Sequence, residues 1–240
     1  MSEDFDPYIA WEEYKFLEDD FIKYLRYVPL SEDHKNVWSL YLGDLLIRIG
    51  SILDSFLKRA MFSSELDNKD EININYYRSL DDFQININVY KDIFNPFYQL
   101  STKKIYELRT FEHNTPFSSW GDVNSNSPFW WKNYNKVKHD RFKNKKEATL
   151  KATLEALSGL FILYVMHLDT MPVLVDDGTI KSNIAKDYLK QILLEKEPLR
   201  TVVSPYVYAK TRIFGYVFKS HDFDFDESDV KRILSPSFRF

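Results

Sequence analysis

The sequence predicts a mainly α-helical single domain over residues 1–240, with a loop or small β element inserted between the helices and a small α+β extension at the C-terminal end. Three observations lead to this fold class. Apolar residues recur at steps of three and four along several stretches, which is the spacing of one helix face. Hydrophobic residues make up 44% of the chain, enough for a core, and glycine, which tight turns favour, occurs only 6 times.

Two helices are predicted in the N-terminal part of the chain. The first lies within residues 8–28, in an N-terminal segment 1–30, and the second follows Pro29 and SEDHK. The apolar positions of the first are Tyr14, Leu17, Phe21, Tyr24 and Val28, and those of the second are Trp38, Tyr41, Leu45, Ile49, Ile52 and Phe56. Two pairs on the second helix are spaced to form ion pairs, Asp44 with Arg48 and Asp54 with Lys58.

Residues 64–127 break the helical periodicity and are interpreted as an insertion. EININYY and FQININVY alternate apolar and polar residues, which predicts two short strands joined as a hairpin through RSLDD. From Asn95 to Ser127, proline, asparagine and serine indicate loops.

Helices resume at Pro128. Ser127 before Pro128 is typical of a helix start, with a capping hydroxyl followed by a residue that lacks an N–H, and the helix is expected to run to about Asn144. A further helix is predicted from a bundle-type seam of Leu150, Leu154, Leu157, Phe161, Tyr164 and Leu168. In the extension, residues 171–240, the sequence predicts a helix near 182–195 and two short strands within 201–218.

The composition and the absence of several motifs exclude some classes of functional site. Cysteine is absent, which excludes disulfides and thiolate metal sites. No GxGxxG, GxxxxGK[ST] or HExxH string occurs, and the acidic run 221–229 lacks the spacing of a calcium loop, so we expect no metal and no cofactor. The acidic N-terminus and the absence of a long apolar run predict a cytoplasmic protein that does not enter a membrane.

The stretch SPFWWKNYNKVKHDR, residues 127–141, concentrates polar and basic side chains on one predicted helix. At about 100° per residue, Trp131, Asn135 and His139 form one line and Tyr134, Lys138 and Arg141 a neighbouring line, while Trp130 and Val137 point towards the core. An imidazole exchanges protons near neutral pH, so His139 is a candidate for moving a proton at the 2′-hydroxyl or the leaving oxygen of RNA. Lys138 and Arg141 would neutralise phosphate charge, and Asn135 would orient the imidazole or the phosphate.

The same pattern also fits a structural interpretation. A histidine on a basic helix is commonly solvated or hydrogen-bonded to a neighbour, and lysine and arginine commonly cover a surface. Trp130 and Trp131 fit core or interface anchors better than base-stacking platforms.

The string WWKNYNKVKHDR, followed by EATLKATLEALSGLFILYVMHL, resembles the HEPN superfamily. The resemblance covers residues 33–170 and is strongest over 116–168. It implies a compact helical bundle that dimerises through its motif helices. Active members are metal-independent RNases of toxin–antitoxin, abortive-infection and CRISPR-linked defence systems, and others are inactive RNA-binding or protein-binding modules.

The family's catalytic pattern is an arginine, then about four to six residues, and then a histidine. The residue directly after the arginine is often polar. By this resemblance His139 matches the histidine, Asn135 the polar residue and Tyr134 the arginine position. Tyrosine supplies no permanent positive charge, which leaves Lys132, Lys138 or Arg141 to compensate. A second pair, Arg109 and His113, is one residue too short for the pattern.

Two functions follow from the resemblance. The first is an endoribonuclease effector of a toxin–antitoxin or antiphage system, acting on RNA as a homodimer with a cognate antitoxin or defence partner. The second is an inactive module for RNA binding or protein interaction, in which Trp130, Trp131 and Tyr134 form a dimer or partner surface.

Overall fold

The computed structural model describes residues 5–67, 72–122, 127–182, 184–187, 189, 207–218 and 225–235. These residues are mainly helical and include a five-stranded antiparallel sheet, which confirms the predicted mainly α fold with a small β component. The contacts divide the chain into two compact units. Unit 1 comprises Met1–Asp6, Lys15–Lys103 and Thr115–Leu160, and unit 2 comprises Pro7–Tyr14, Lys104–Asn114 and Phe161–Phe240. The single-domain boundary stays a prediction.

The helices and strands have the following bounds. The helices are α1 Pro7–Tyr24, α2 Leu40–Ala60, α3 Ile74–Arg78, α4 Ile87–Tyr98, α5 Phe129–His139, α6 Leu150–Met166, α7 Met171–Asp176 and α8 Glu227–Leu234. The strands are β1 Ile105–Glu107, β2 His113–Asn114, β3 Ile180–Lys181, β4 Tyr208–Lys210 and β5 Phe214–Val217. The helices predicted from apolar periodicity are confirmed by α1, α2, α5 and α6. Across the described residues, no helix has the length and apolar character that crossing a membrane requires.

Helix α2 begins where Ser39 caps it, because the Ser39 hydroxyl accepts a hydrogen bond from the Leu42 N–H. Most of its predicted apolar positions are buried, including Leu45, Ile49 and Phe56, whereas Tyr41 is 44% exposed and Ile52 is partly exposed. The two predicted ion pairs along the helix are wrong. Arg48 binds Asp20 of α1 at 2.7 Å and Lys58 binds Asp82 at 2.8 Å, since carboxylates from other segments lie closer than those four residues away.

The hairpin predicted for EININYY and FQININVY is wrong, because these segments contribute to α3 and α4. Asparagine side chains start both helices: Asn73 accepts a hydrogen bond from the Tyr76 N–H, and Asn86 accepts one from the Asn88 N–H. Helix α4 then buries residues at helical spacing, namely Ile87, Tyr90, Ile93, Phe94 and Tyr98. The insertion therefore holds two helices as well as β1 and β2.

The sheet belongs to unit 2 and has the strand order β2-β1-β5-β4-β3. Strand β1 pairs with β5, with Tyr106 opposite Gly215, and β4 and β5 confirm the two strands predicted within 201–218. Its core joins side chains of the sheet to one face of α8: Tyr106, Tyr208, Val217, Val230, Ile233 and Leu234. Most of the helix predicted near 182–195, and residues 221–224 of the acidic run, lie outside the described residues.

Candidate functional site

Helix α5 carries the residues singled out by the sequence, but its ends differ from the prediction. Pro128 rather than Ser127 precedes the first turn, and no side chain caps it. The helix ends at His139 rather than Asn144. The Asn144 side-chain amide donates to the Lys136 carbonyl at 2.8 Å, and the Asp140 carboxylate accepts the Lys143 N–H at 3.0 Å. These bonds replace the next helical turn with a tight reversal of the chain.

One side of α5 forms part of the core of unit 1. Trp130 and Val137 are fully buried, which confirms their predicted orientation. The Trp130 indole N–H donates to the Pro116 carbonyl at 2.8 Å, and the rings of Trp130 and Phe117 form a T-shaped pair. The indole therefore satisfies its polar atom internally.

Tyr134 also belongs to this core, at 1% exposure. Its ring lies against Gly50 of α2, where a Cβ atom would come within 2.4 Å of Cδ2, and beside the ring of Trp131. Trp130, Trp131 and Tyr134 are thus all buried in the internal packing of the chain, and their role as an interface or stacking surface stays a prediction.

The other side of α5 faces solvent. His139 is exposed and Asn135, one turn earlier, is partly exposed. Neither side chain makes a hydrogen bond or an ion pair with another residue that the structure describes. Lys132 and Lys138 are exposed on the same helix, so the imidazole and the amide lie among cationic side chains.

Residues 140–149, which we call the return segment, run back along α5. Asn144 contacts Lys136 near the end of the helix, whereas the Asn133 side-chain amide donates to the Glu147 carbonyl at 2.9 Å nearer its start. The Glu147 carboxylate also pairs with Lys136 at 3.2 Å. This antiparallel path places the lysines of the return segment beside those of α5.

Together these segments form what we call the basic surface. It consists of the exposed side chains of Lys132, Lys136, Lys138, Lys143, Lys145, Lys146 and Lys151. Between residues 132 and 151 the sequence holds eight lysine or arginine residues and two carboxylates, although the whole chain has a net charge of −4. The positive charge of the chain is therefore concentrated here, and such a concentration attracts polyanions.

Arg141 departs from its predicted place. It lies beyond the end of α5, so the predicted helical line of Tyr134, Lys138 and Arg141 does not form. Its guanidinium pairs with Asp44 at 3.6 Å and donates to the Leu40 carbonyl at 3.2 Å. Lys138, which makes no ion pair with any described carboxylate, is the cation next to His139 in the sequence.

Comparison with protein-family models, with curated proteins and with solved structures finds no match.

Two exposed aromatic residues that the sequence does not single out lie beside lysines of the basic surface, Trp38 just before α2 and Phe129 at the start of α5. Lys145 lies over the ring of Trp38 at 5.6 Å, and Lys151 lies over the ring of Phe129 at 5.3 Å. The spacing of apolar residues predicts Trp38 as part of the buried stripe of α2, but Trp38 precedes the helix and is 36% exposed. Ser39, a typical N-cap residue, is the signal that places Trp38 outside the helix.

The end of the basic surface near Lys151 also carries an acidic group. Glu155, one turn along α6, pairs with Lys151 at 3.8 Å. Burial raises the pKa of the Glu155 carboxyl, and the positive charges of Lys151 and Lys35 oppose that shift. Among the described residues, no group of three or more histidine or carboxylate side chains is arranged to hold a metal ion.

Proposed function

We propose that this chain is a HEPN-like, RNA-acting protein whose basic surface binds RNA phosphates and whose His139 and Asn135 cleave the strand without a metal ion. The supporting observation is the position of His139, which is exposed on α5 next to Lys138 and one turn after Asn135. A solvent-facing imidazole within a lysine-rich surface can reach a phosphodiester bound there.

The proposed reaction needs two proton transfers. The 2′-oxygen attacks the adjacent phosphorus, the bond to the 5′-oxygen breaks, and a 2′,3′-cyclic phosphate forms. The 2′-hydroxyl gives up a proton and the leaving 5′-oxygen receives one; His139 carries out one of these transfers and solvent water carries out the other. Lys138 and Lys132 stabilise the additional negative charge on the phosphate, and Asn135 orients the imidazole or a phosphate oxygen.

The biological setting in this proposal comes from the family resemblance. The protein acts in the cytoplasm as an effector of a toxin–antitoxin or antiphage defence system. It forms a homodimer, and a cognate antitoxin or defence partner controls it. Light scattering of the purified chain tests whether it forms a homodimer. Co-purification with the products of neighbouring genes tests whether a partner binds it.

Cleavage of a labelled RNA in the presence of EDTA tests the proposed activity. The wild-type chain should produce cyclic-phosphate ends, and His139→Ala should slow cleavage about 100-fold or more while folding normally, because the side chain is exposed. Asn135→Ala should slow it less. His113→Gln is the matched control, since it removes the histidine of the other Arg–His pair. Absence of cleavage by wild-type protein freed of any bound partner rules the nuclease out.

A second candidate, an inactive HEPN-like module that binds RNA, is favoured by the burial of Tyr134. The position that corresponds to the family's arginine is occupied by a core residue, so no cation occupies it. This candidate predicts RNA binding without cleavage, with equal affinities for wild type and His139→Ala. Measuring affinity and cleavage on the same RNA separates the two candidates.

A further inference from the structure

Two lysine–aromatic pairs lie on the basic surface. One pair is Trp38 with Lys145, and the other is Phe129 with Lys151. Building on the proposed RNA binding, we infer that these pairs form a subsite for unpaired bases, so that the basic surface takes single-stranded rather than double-stranded RNA.

The two pairs are neighbours on one surface of unit 1. Trp38 and Thr149 form an antiparallel backbone bridge, and the Lys151 N–H donates to the Lys35 carbonyl at 3.0 Å. The segment around Trp38 is therefore joined to the first turn of α6, where Lys151 reaches the ring of Phe129. The two lysine–aromatic pairs therefore lie on adjoining backbone segments.

Their distance from the proposed cleavage residue suits a bound strand. Phe129 is the first residue of α5 and His139 is the last, so their Cα atoms are separated by about 15 Å along the helix axis. The return segment adds lysines beside residues 133–136 of α5, and Lys132 and Lys138 are exposed on the helix itself. A strand on this track would contact lysines with its phosphates and reach the ring of Phe129 at one end of α5 and His139 at the other.

Exposure of the rings is the observation that points to unpaired bases. Trp38 is 36% exposed and Phe129 is 46% exposed, and a lysine of the basic surface lies over each ring. Bases stack on exposed aromatic rings only when they are not held inside a duplex, and lysine nearby compensates the phosphate charge. A third ring, Phe142, is 93% exposed beside Arg141 near the other end of the track.

Charge complementarity favours a polynucleotide over other partners. Lys132, Lys138, Lys143, Lys145 and Lys146 make no ion pair with any carboxylate of the described chain. A regular polyanion satisfies such a row of cations, whereas an apolar protein surface would leave them unpaired. An acidic peptide is the alternative polyanion, and it differs from RNA in having no bases to stack.

Affinity measurements on ring variants test the inference. The ligands are a single-stranded RNA oligonucleotide and a duplex of equal phosphate number, each titrated at several salt concentrations by fluorescence anisotropy. Trp38→Leu and Phe129→Leu should each weaken binding of the single strand about tenfold, with little change in duplex binding or salt dependence. The matched control is Phe83→Leu, which removes an aromatic ring that is 83% exposed outside the basic surface. Lys143→Gln should instead weaken both ligands and reduce the salt dependence.

Tryptophan fluorescence provides a second, independent measurement. Of the 5 tryptophans, Trp38 is the exposed one, and the other four, Trp11, Trp120, Trp130 and Trp131, are buried. The single strand should quench the emission that iodide can also quench. In Trp38→Phe, which keeps a ring for stacking, binding should persist while this quenching disappears.

The outcomes separate the inference from the function on which it rests. If the wild-type chain binds no RNA, the proposed function fails and the inference fails with it. If it binds single strands and duplexes equally and the leucine variants match wild type, RNA binding stands and the base subsite is refuted. Displacement of RNA by poly-glutamate at equal charge, with no effect of the ring variants, also refutes the subsite.

Discussion

The ring of Tyr134 in α5 fills the space in which a side chain at Gly50 in α2 would lie. A Cβ atom at Gly50 would lie 2.4 Å from Cδ2 of Tyr134 and 2.6 Å from Cγ. The glycine is therefore what lets the tyrosine ring lie flat against the α2 backbone. This contact fixes the rotation of α5, and so determines that His139 and Asn135 face solvent.

Gly50→Ala should destabilise the protein by about 1–3 kcal/mol, because the added methyl group overpacks the contact with Tyr134. Chemical denaturation of wild type and variant gives the difference in the free energy of unfolding. Gly43→Ala on the same helix is the control, since its Cβ would meet Ala148 at an ordinary 3.5 Å and alanine favours a helix. Equal effects of the two substitutions would contradict the steric argument.

Tyr134→Arg should lower the free energy of unfolding by about 3 kcal/mol or more, because it places a charged guanidinium in the space that the buried tyrosine ring fills beside Gly50. Tyr134→Phe should cost little, since the tyrosine hydroxyl lies 3.4 Å from the Ser51 hydroxyl, a long hydrogen bond. Thermal denaturation compares the variants. A stable Tyr134→Arg that cleaves RNA faster than wild type would instead support position 134 as a catalytic site.

Asn86→Ala should destabilise the protein by about 1 kcal/mol, because the Asn86 side chain caps α4 by accepting the Asn88 N–H at 2.9 Å. Asn86→Asp should retain the cap and most of the stability. Asn88→Ala serves as the control, because the exposed Asn88 side chain can be lost without removing the cap. Urea denaturation measures all three, and an unchanged midpoint for Asn86→Ala would argue against capping.

His167 should make stability depend on pH. Burial lowers the pKa of its imidazole from 6.5 to about 4, against a smaller opposing effect of Asp169. Between these two values the unfolded chain binds more protons than the folded chain, so the free energy of unfolding should fall as pH drops from about 6.5 towards 4. The slope contributed by this one group is at most about 1.4 kcal/mol per pH unit.

Urea denaturation at pH 7 and pH 5 measures this dependence. In His167→Gln the part of the pH dependence that comes from the imidazole should disappear, whatever the variant's stability at pH 7. His34→Gln is the control, because His34 is partly exposed. The same pH dependence in His167→Gln and wild type would contradict the assignment.

The sequence predicted the long helices because their apolar residues repeat without interruption. The seam of α6 is buried from Leu157 to Tyr164, and the core positions of α5 at Trp130 and Val137 follow from 100° steps. These features depend on neighbours within one helix, which is information that a single sequence carries.

Features that depend on side chain–backbone bonds or on distant neighbours could not be predicted in this way. Alternating asparagines gave residues 71–90 the pattern of strands, whereas Asn73 and Asn86 act as helix caps. The end of α5 is set by the side chains of Asp140 and Asn144, which compete with further helical bonds. The burial of Tyr134 needs Gly50, a partner that is distant in sequence and unrelated to any motif.

Strand β1 pairs with β5, the middle strand of the sheet, which is synthesised about 100 residues later. Tyr106 pairs with Gly215, so β1 leaves the ribosome long before β5 exists, and of the strands in the described part of the chain the two-residue β2 is then the one available to pair with it. An open strand edge invites pairing with other chains. Shortened versions that stop near residue 170, where the HEPN resemblance ends, would keep that edge exposed permanently, and such fragments should aggregate even though they retain the whole of α5.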